Sequence, residues 1–412
     1  METLYSCNDR NRKNSNNNNH VCCNNEFSNK NEEGNDIQFF SSHSDVTPVF
    51  KDIYCKLNEI VKYKSEKDIK ITVLPDFFID RIIRISDIQT LTDAMNKKIK
   101  VGGGSIRGLD SVDIKGGNAV NVAYCLARLG AKVDLFTVAD KVGCSVLNAV
   151  FKKFGPQINL HIKNGKHGLT TIFEFTTTSF SVSNVMLSDV GENSNFGPES
   201  IESADDDLLS VLGSSSGVVL TNWASNLRGT DLLRYVFENS KNSLHFLDPA
   251  DISERRMEFV EDLKSNSKLI DFLSINENEH LQIICALSKT RDMPHYNCDN
   301  LNPATPLNLG KSVLFLSNFF NVNMCVHTSM GSVWSNGKNA VFVKSIPPSK
   351  INIVSGAGDS WDSAFLFGHL LNFTNEEKLC FANLFAFLYL ENSYNDPPSL
   401  QDIVNYIHDN YF

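Results

Sequence analysis

The stretch "NIVSGAGDSWDSAFLFGHLL", residues 352–371, joins three small residues to a lone acid and an apolar run. Trp361, Ala364, Phe365, Leu366, Leu370 and Leu371 recur near a 3.6-residue period, which predicts a helix beginning around Asp359. A helix N-terminus offers unpaired N–H groups and about half an elementary positive charge. Glycines there let a ligand approach the backbone, and the ligand such a place prefers is an anion, phosphate above all. A carboxylate at the same point needs a task. Taking the proton from a hydroxyl that attacks a bound phosphoryl group is one such task. The competing reading makes Asp359 an N-cap and the glycines a tight turn. This segment alone does not separate the two.

Size and composition narrow the field. A chain of 412 residues can hold one large α/β domain or two ordinary ones, and 42 % hydrophobic residues suffice for a substantial core. The net charge of −10, without a strongly basic block, argues against nucleic acid as a partner. The 10 cysteines include no C-x-x-C pair, and several lie in apolar runs, which favours buried free thiols in a reducing compartment over a zinc site. No apolar run approaches the roughly 18 residues of a membrane span, and the N-terminus lacks the apolar segment of a signal peptide. The expectation is a soluble, cytoplasmic protein without a membrane partner.

The first 36 residues contain 12 asparagines and few apolar anchors, so residues 1–45 read as a disordered tail. Val49, Phe50, Ile53, Leu57, Ile60 and Val61 have helical spacing, which predicts an amphipathic helical extension over 46–67. From residue 68 to 412, apolar runs of strand type (69–75, 132–139, 216–223, 244–250, 270–276, 323–329 and 340–346) alternate with helical patterns (118–130, 144–155 and 229–240). That alternation predicts an α/β fold with a mainly parallel sheet covered on both faces. The Thr- and Phe-rich piece 169–187 reads instead as an antiparallel hairpin. Residues 290–310 read as an inserted surface loop.

Other segments could hold chemistry. In "KGGNAVNVAYCLARLG", Gly116 and Gly117 precede Asn118 and Asn121, which lie one turn apart at a helix mouth. Amide side chains there suit sugar hydroxyls, or they merely satisfy backbone groups. Asp76 and Asp80 follow the first strand, where one could hold substrate hydroxyls and the other cap a helix. Asn276 and Glu279, three apart at another strand end, could orient magnesium through water or form only a solvated turn. "VHTSMGSVW" turns at Gly331, where a nucleotide could rest. "GGGSIRG" (102–108) is neither a G-x-G-x-x-G nor a P-loop motif and reads as a flexible loop near the substrate mouth.

"GGNAVNVAYCLARLG" followed far downstream by "GAGDSWDSAF", with "PDFFID", "NENE" and "HTSMG" between or before them in order, resembles the ribokinase-like PfkB family of sugar and nucleoside kinases over residues 68–407. The resemblance implies a three-layer α/β/α fold with a small β lid, built from about 98–115 and 167–190. It implies ATP-dependent phosphorylation of an alcohol group on a sugar or nucleoside. Asp359 would be the catalytic base, and Gly356, Ala357 and Gly358 the anion hole. Asp80, Gly117, Asn118 and Asn121 would hold the acceptor. Asn276, Glu279, Thr328, Gly331 and Asn383 would bind the nucleotide, with Glu279 serving magnesium through water. In such folds the lid either pairs two copies or stays single. Ile353 and Val354 stand where the family often has an Asp–Thr pair associated with a monovalent cation, so potassium activation does not carry over. The rival reading is a ligand-binding descendant without catalysis.

Overall fold

Nearly uncharged runs such as "KITVL" and "GVVLT" have no polar face to show to water, so they are driven to the middle of a sheet covered on both sides. The computed structural model describes residues 28–30, 36–63, 69–176, 182–204, 208–290, 305–392 and 396–412. In chain order the strands are β1 (Ser28–Lys30), β2 (Asp36–Phe40), β3 (Lys70–Leu74), β4 (Phe78–Ile85), β5 (Asp110–Gly116), β6 (Lys132–Ala139), β7 (Ile158–Asn164) and β8 (Gly168–Thr176). They continue with β9 (Val182–Asp189), β10 (Gly217–Thr221), β11 (Leu244–Asp248), β12 (Phe272–Asn276), β13 (Asn323–His327), β14 (Gly331–Ser335) and β15 (Asn339–Lys344).

The main sheet runs β1-β2-β15-β14-β13-β12-β11-β10-β3-β6-β7. Every pair from β13 through β7 is parallel, and β14 is antiparallel to both of its neighbours. One face carries helices His43–Tyr63, Asn118–Arg128, Ala357–Leu370, Asn375–Glu391 and Leu400–Tyr411, whose Phe50, Leu126, Phe365, Phe381 and Ile403 share one core. The other face carries helices Gly229–Glu238, Arg256–Asn266, Glu277–Ser288 and Pro306–Phe320 over a second core that includes Val236, Phe259, Ile283 and Val313. The expected three-layer α/β/α arrangement is therefore present.

The small second sheet runs β5-β4-β8-β9. β8 and β9 form the antiparallel hairpin that the Thr- and Phe-rich segment predicted. β4, however, occupies the stretch after the first strand, where sequence reading placed Asp76 and Asp80 but no strand. Asp80 thus belongs to the lid and not to the main sheet. The signal was present in part, because Phe78, Asp80 and Ile82 alternate inward against exposed Arg81, before exposed Arg84 and buried Ile85 break the pattern.

Three further expectations need correction. Residues 36–45 are not part of an unstructured tail, since β2 pairs in parallel with β15, Ile37 is fully buried, and a helix starts at His43. Its apolar side chains give this short segment a place at the sheet edge that asparagine counting could not reveal; residues 1–27 lie outside the described residues. The inserted loop ends sooner than expected, because Pro306 opens a helix capped by Thr305. The rest of the 290–310 insertion, 291–304, lies outside the described residues. Finally, a helix at Ile88–Lys100 was not foreseen. Asp87 caps it, yet none of its residues is buried, so the only sequence signal lay in its cap.

The strand order reverses between β10 and β3, and this places the carboxyl ends of β3, β10, β11, β12 and β13 around one crevice. The N-termini of helices Asn118–Arg128 and Ala357–Leu370 open into the same region.

Candidate active site

Asp76 is the structural anchor of the crevice. Its carboxylate accepts from the amides of Asn118 (2.8 Å) and Ala119 (3.0 Å), from the Thr221 hydroxyl (2.8 Å) and from the Asn222 amide (3.0 Å). It therefore caps the helix that begins at Asn118 from across the sheet. Gly117 makes this possible. Its φ is +92°, and a Cβ there would stand 2.6 Å from the Asp76 carbonyl oxygen. Gly116 is equally constrained, since a Cβ would meet the Asp80 carboxylate at 2.2 Å.

Asp359 lies in the first turn of its helix and is buried. The Asn121 amide donates 2.9 Å to its Oδ2, while its Oδ1 is buried without a hydrogen-bond partner. Burial, then the nearby Asp248 and Asp76, push its carboxyl up to about 8, opposed by the Asn121 bond and the Lys115 ammonium. Gly356 precedes the helix at φ +84°, with room for no Cβ because the Tyr389 hydroxyl would lie 2.7 Å away. That hydroxyl donates to the Ser355 carbonyl and braces the turn. The Ala357 amide already donates 3.2 Å to the Val354 carbonyl. Gly358 packs closely on His327, whose Cε1 would lie 3.2 Å from an added Cβ.

Asp80 faces the same crevice from the lid. Burial pushes its carboxyl up to about 6, the Thr170 hydroxyl bond and Lys115 pulling down and Asp76 pushing up. Asn118 directs its amide towards Asp248 at 3.5 Å. Asp80, Gly117, Asn118, Asn121 and Asp359 are thus linked through shared neighbours at one helix mouth.

A second cluster of acids lies beside it. Asn276 and Glu279 form a capping box, in which Glu279 accepts from the Asn276 backbone (2.8 Å) and side-chain amide (2.6 Å). Burial raises the Glu279 carboxyl, and so does Asp248. Asp362, one turn after Asp359, accepts from the Ser274 hydroxyl and keeps Oδ2 unpartnered; burial and Asp248 hold its carboxyl well up. His327 stands 4.0 Å from Asp362, its imidazole pushed down to about 4 by burial and therefore neutral. Such crowded acids fit a nearby divalent cation. Among the described residues no three His, Cys, Asp or Glu side chains are grouped to cage a metal.

The remaining candidates are more self-contained. The Thr328 hydroxyl donates to the Gly331 carbonyl (2.8 Å) and accepts from the Met330 and Gly331 amides (3.1 and 3.2 Å). Gly331 needs its missing Cβ for contact with Phe342 and the Val343 carbonyl. Asn383 is buried, with Oδ1 accepting from Ser332 and Trp361 and Nδ2 donating to the Val343 and Lys344 carbonyls. Its amide braces two elements of the body and leaves nothing spare for a base. Ile106–Asp110 line a cavity of about 630 Å³ with Arg84, Thr90 and Phe175 at the lid.

Sequence reading missed Lys115, Asp248, Asp362 and His327. Asp362 sat in view, three residues after Asp359 and on the same helix face. Lys115 immediately precedes the Gly-Gly pair, but nothing local distinguishes it.

The sequence model described as "pfkB family carbohydrate kinase" matches residues 100–400. No curated protein matches the sequence at a significant level. Among solved structures, the adenosine kinase from Sinorhizobium meliloti is 19 % identical, with a TM-score of 0.61 over 83 % of this chain and 98 % of its own. The ribokinase from Giardia lamblia is 17 % identical, with a TM-score of 0.62 over 83 % and 99 %. The Arabidopsis thaliana ribokinase complexed with ribose and ATP is 17 % identical, with a TM-score of 0.59 over 82 % and 98 %. Identities this low establish the shared fold.

Proposed function

The chain belongs to the pfkB family of carbohydrate kinases, and from that premise we propose that it transfers the γ-phosphoryl group of ATP to an alcohol hydroxyl of a sugar or nucleoside. The observation that carries the reading is the buried Asp359, with one carboxyl oxygen held by Asn121 and the other without a partner. That free Oδ1 takes the proton of the acceptor hydroxyl. The hydroxyl oxygen forms a bond to the γ-phosphorus, the bond from that phosphorus to the β,γ-bridging oxygen breaks, and ADP leaves. Amides at the turn Gly356–Gly358 face the charge on the transferred group, the Ala357 amide giving up its bond to the Val354 carbonyl to do so. Asp80, Gly117, Asn118 and Asn121 orient the acceptor, while the lid strands exclude water.

Asn276, Glu279, Thr328 and Gly331 form the nucleotide side. Asn383 supports that side from behind, because its amide holds strand and helix together. Magnesium would sit near Glu279 through water, and when bound it supplies charge neutralisation for the nucleotide phosphates. Among the described residues no helix is long and apolar enough to cross a membrane. A second copy would cover the lid face that exposes Leu169, Val185 and Leu187, which share one side of the β8–β9 hairpin.

The test is coupled ADP release with ATP and magnesium across a panel of sugars and nucleosides. Asp359→Asn is expected to keep ATP affinity and to lose roughly 10²–10⁴-fold in turnover. Equal turnover in that variant would remove Asp359 from the chemistry. No release with any acceptor, despite ATP binding, would point to the non-catalytic binding protein.

A further inference from the structure

Lys115 is a buried cation that the scheme above does not use. It is the penultimate residue of the lid strand β5, directly before Gly116 and Gly117. Its ammonium donates 2.8 Å to Asn121 Oδ1 and lies 4.6 Å from the centre of the Tyr124 ring. Asn121 in turn donates from Nδ2 to Asp359 Oδ2 at 2.9 Å. An ammonium has only donors to give, so the amide end facing it must be the carbonyl. The NH₂ end is thereby left for Asp359. Without the ammonium, the amide is free to turn its carbonyl onto a protonated Asp359 carboxyl, which would hold that proton in place.

We propose that Lys115 is a positioning residue for phosphoryl transfer: it fixes the Asn121 amide with its NH₂ towards Asp359 and so keeps that carboxylate in its proton-accepting form. The proposal rests on the reading of Asp359 as the base.

The charges around the pair agree with it. Asp359 is faced by Asp248 and Asp76 from the strand ends, by Asp362 from its own helix, by Tyr389 from the helix Asn375–Glu391 and by Cys125 from the helix Asn118–Arg128. The acids oppose its ionisation, and the Cys125 thiol, pushed up to about 12 by burial, stays neutral. Lys115 supplies the opposing positive charge. Burial pulls its own ammonium down, while Cys125, Asp359, Asp396 and Asp80 hold it up.

The experiment is the pH profile of kcat for Lys115→Met, with Asp359→Asn beside it. In the natural protein, turnover should rise with pH as Asp359 loses its proton. Removing a close cation and the amide lock should move that rising limb up by about one pH unit or more. Turnover below the limb then falls about tenfold, the high-pH plateau returns to within a few-fold, and KM for ATP is unchanged. Lys115→Arg, which keeps charge and donors, should restore the limb. If Lys115→Met does not fold, Lys115→Gln serves, since it keeps a donor for Asn121 but loses the charge, and the limb should move the same way by less. An unmoved limb, with kcat lowered equally at every pH or not at all, overturns the proposal. Full turnover in Asp359→Asn would instead overturn the base assignment beneath it.

Discussion

Replacing Asp359 by Asn should stabilise the protein, increasingly so as the pH rises. The Asp359 carboxyl is raised from its ordinary 3.8 to about 8, chiefly by burial. The folded protein therefore binds this proton more tightly than the unfolded chain does. Stability from this group is fully present below about pH 4. It is lost progressively as the unfolded chain releases its proton and the folded one does not, and the loss levels off above about pH 8. At 1.36 kcal/mol per tenfold change in proton affinity, the full effect is roughly 6 kcal/mol, and roughly 4 kcal/mol has accrued by pH 7. Asn does not titrate, keeps nearly the same shape, and can donate where a protonated carboxyl would. Asp80, Asp248 and Glu279 are also raised by burial, but they are common to both proteins and largely cancel in the difference. Urea unfolding of both proteins at intervals between pH 4 and 8.5 measures that difference directly, provided the m-values agree. The Asn variant should match the parent near pH 4 and exceed it by several kcal/mol above pH 7. A difference that stays flat across this range would refute the picture of a buried carboxyl crowded by acids. A stabilised variant that has lost turnover is the pattern expected of a strained functional group.

Gly117→Ala should cost about 1–3 kcal/mol in urea unfolding, because its φ of +92° disfavours a side chain and the Asp76 carbonyl oxygen, 2.6 Å away, is backbone that cannot step aside. The same variant should raise KM for the acceptor more than KM for ATP; an equal rise would put Gly117 outside the acceptor side. Leu187→Glu should convert a dimer to a monomer in sedimentation velocity, since Leu187 is 59 % exposed beside Leu169 and Val185 on the lid. If the unsubstituted protein already sediments as a monomer at high concentration, pairing through the lid is ruled out.

Several features were legible because they are local. Apolar runs at 217–221 and 272–276 carry no charge, and those at 70–74 and 132–139 keep charges only at Lys70, Lys132 and Asp134, so all four had to be strands of the buried sheet. Asn118–Arg128 stops before Gly130, whose φ of +98° suits a glycine just past a helix end. Where a segment is half exposed, local reading weakened. β4 mixes Asp80, Arg81 and Arg84 with apolar residues, and its inward alternation has meaning only once the lid sheet exists. The helix Ile88–Lys100 buries none of its residues, so no core stripe announces it. Strand β2, next to the sheet's edge, holds its place through β15, some 300 residues further on.

The candidate site divides in the same way. The glycines, the acid and the helix start of residues 356–359 are adjacent in the chain, and their chemistry follows from backbone geometry that neighbours impose on one another. By itself, the sequence could therefore determine the fold class and point to Asp359. The contacts that set the behaviour of Asp359 are not local. Asn121 meets it across 238 residues, Asp76 caps a helix 42 residues away, and Asp248 and Lys115 arrive from separate sheets. Burial, which raises its carboxyl, belongs to none of these segments alone. Only the tertiary structure decides such properties, because desolvation and charge depend on distances that sequence separation does not encode.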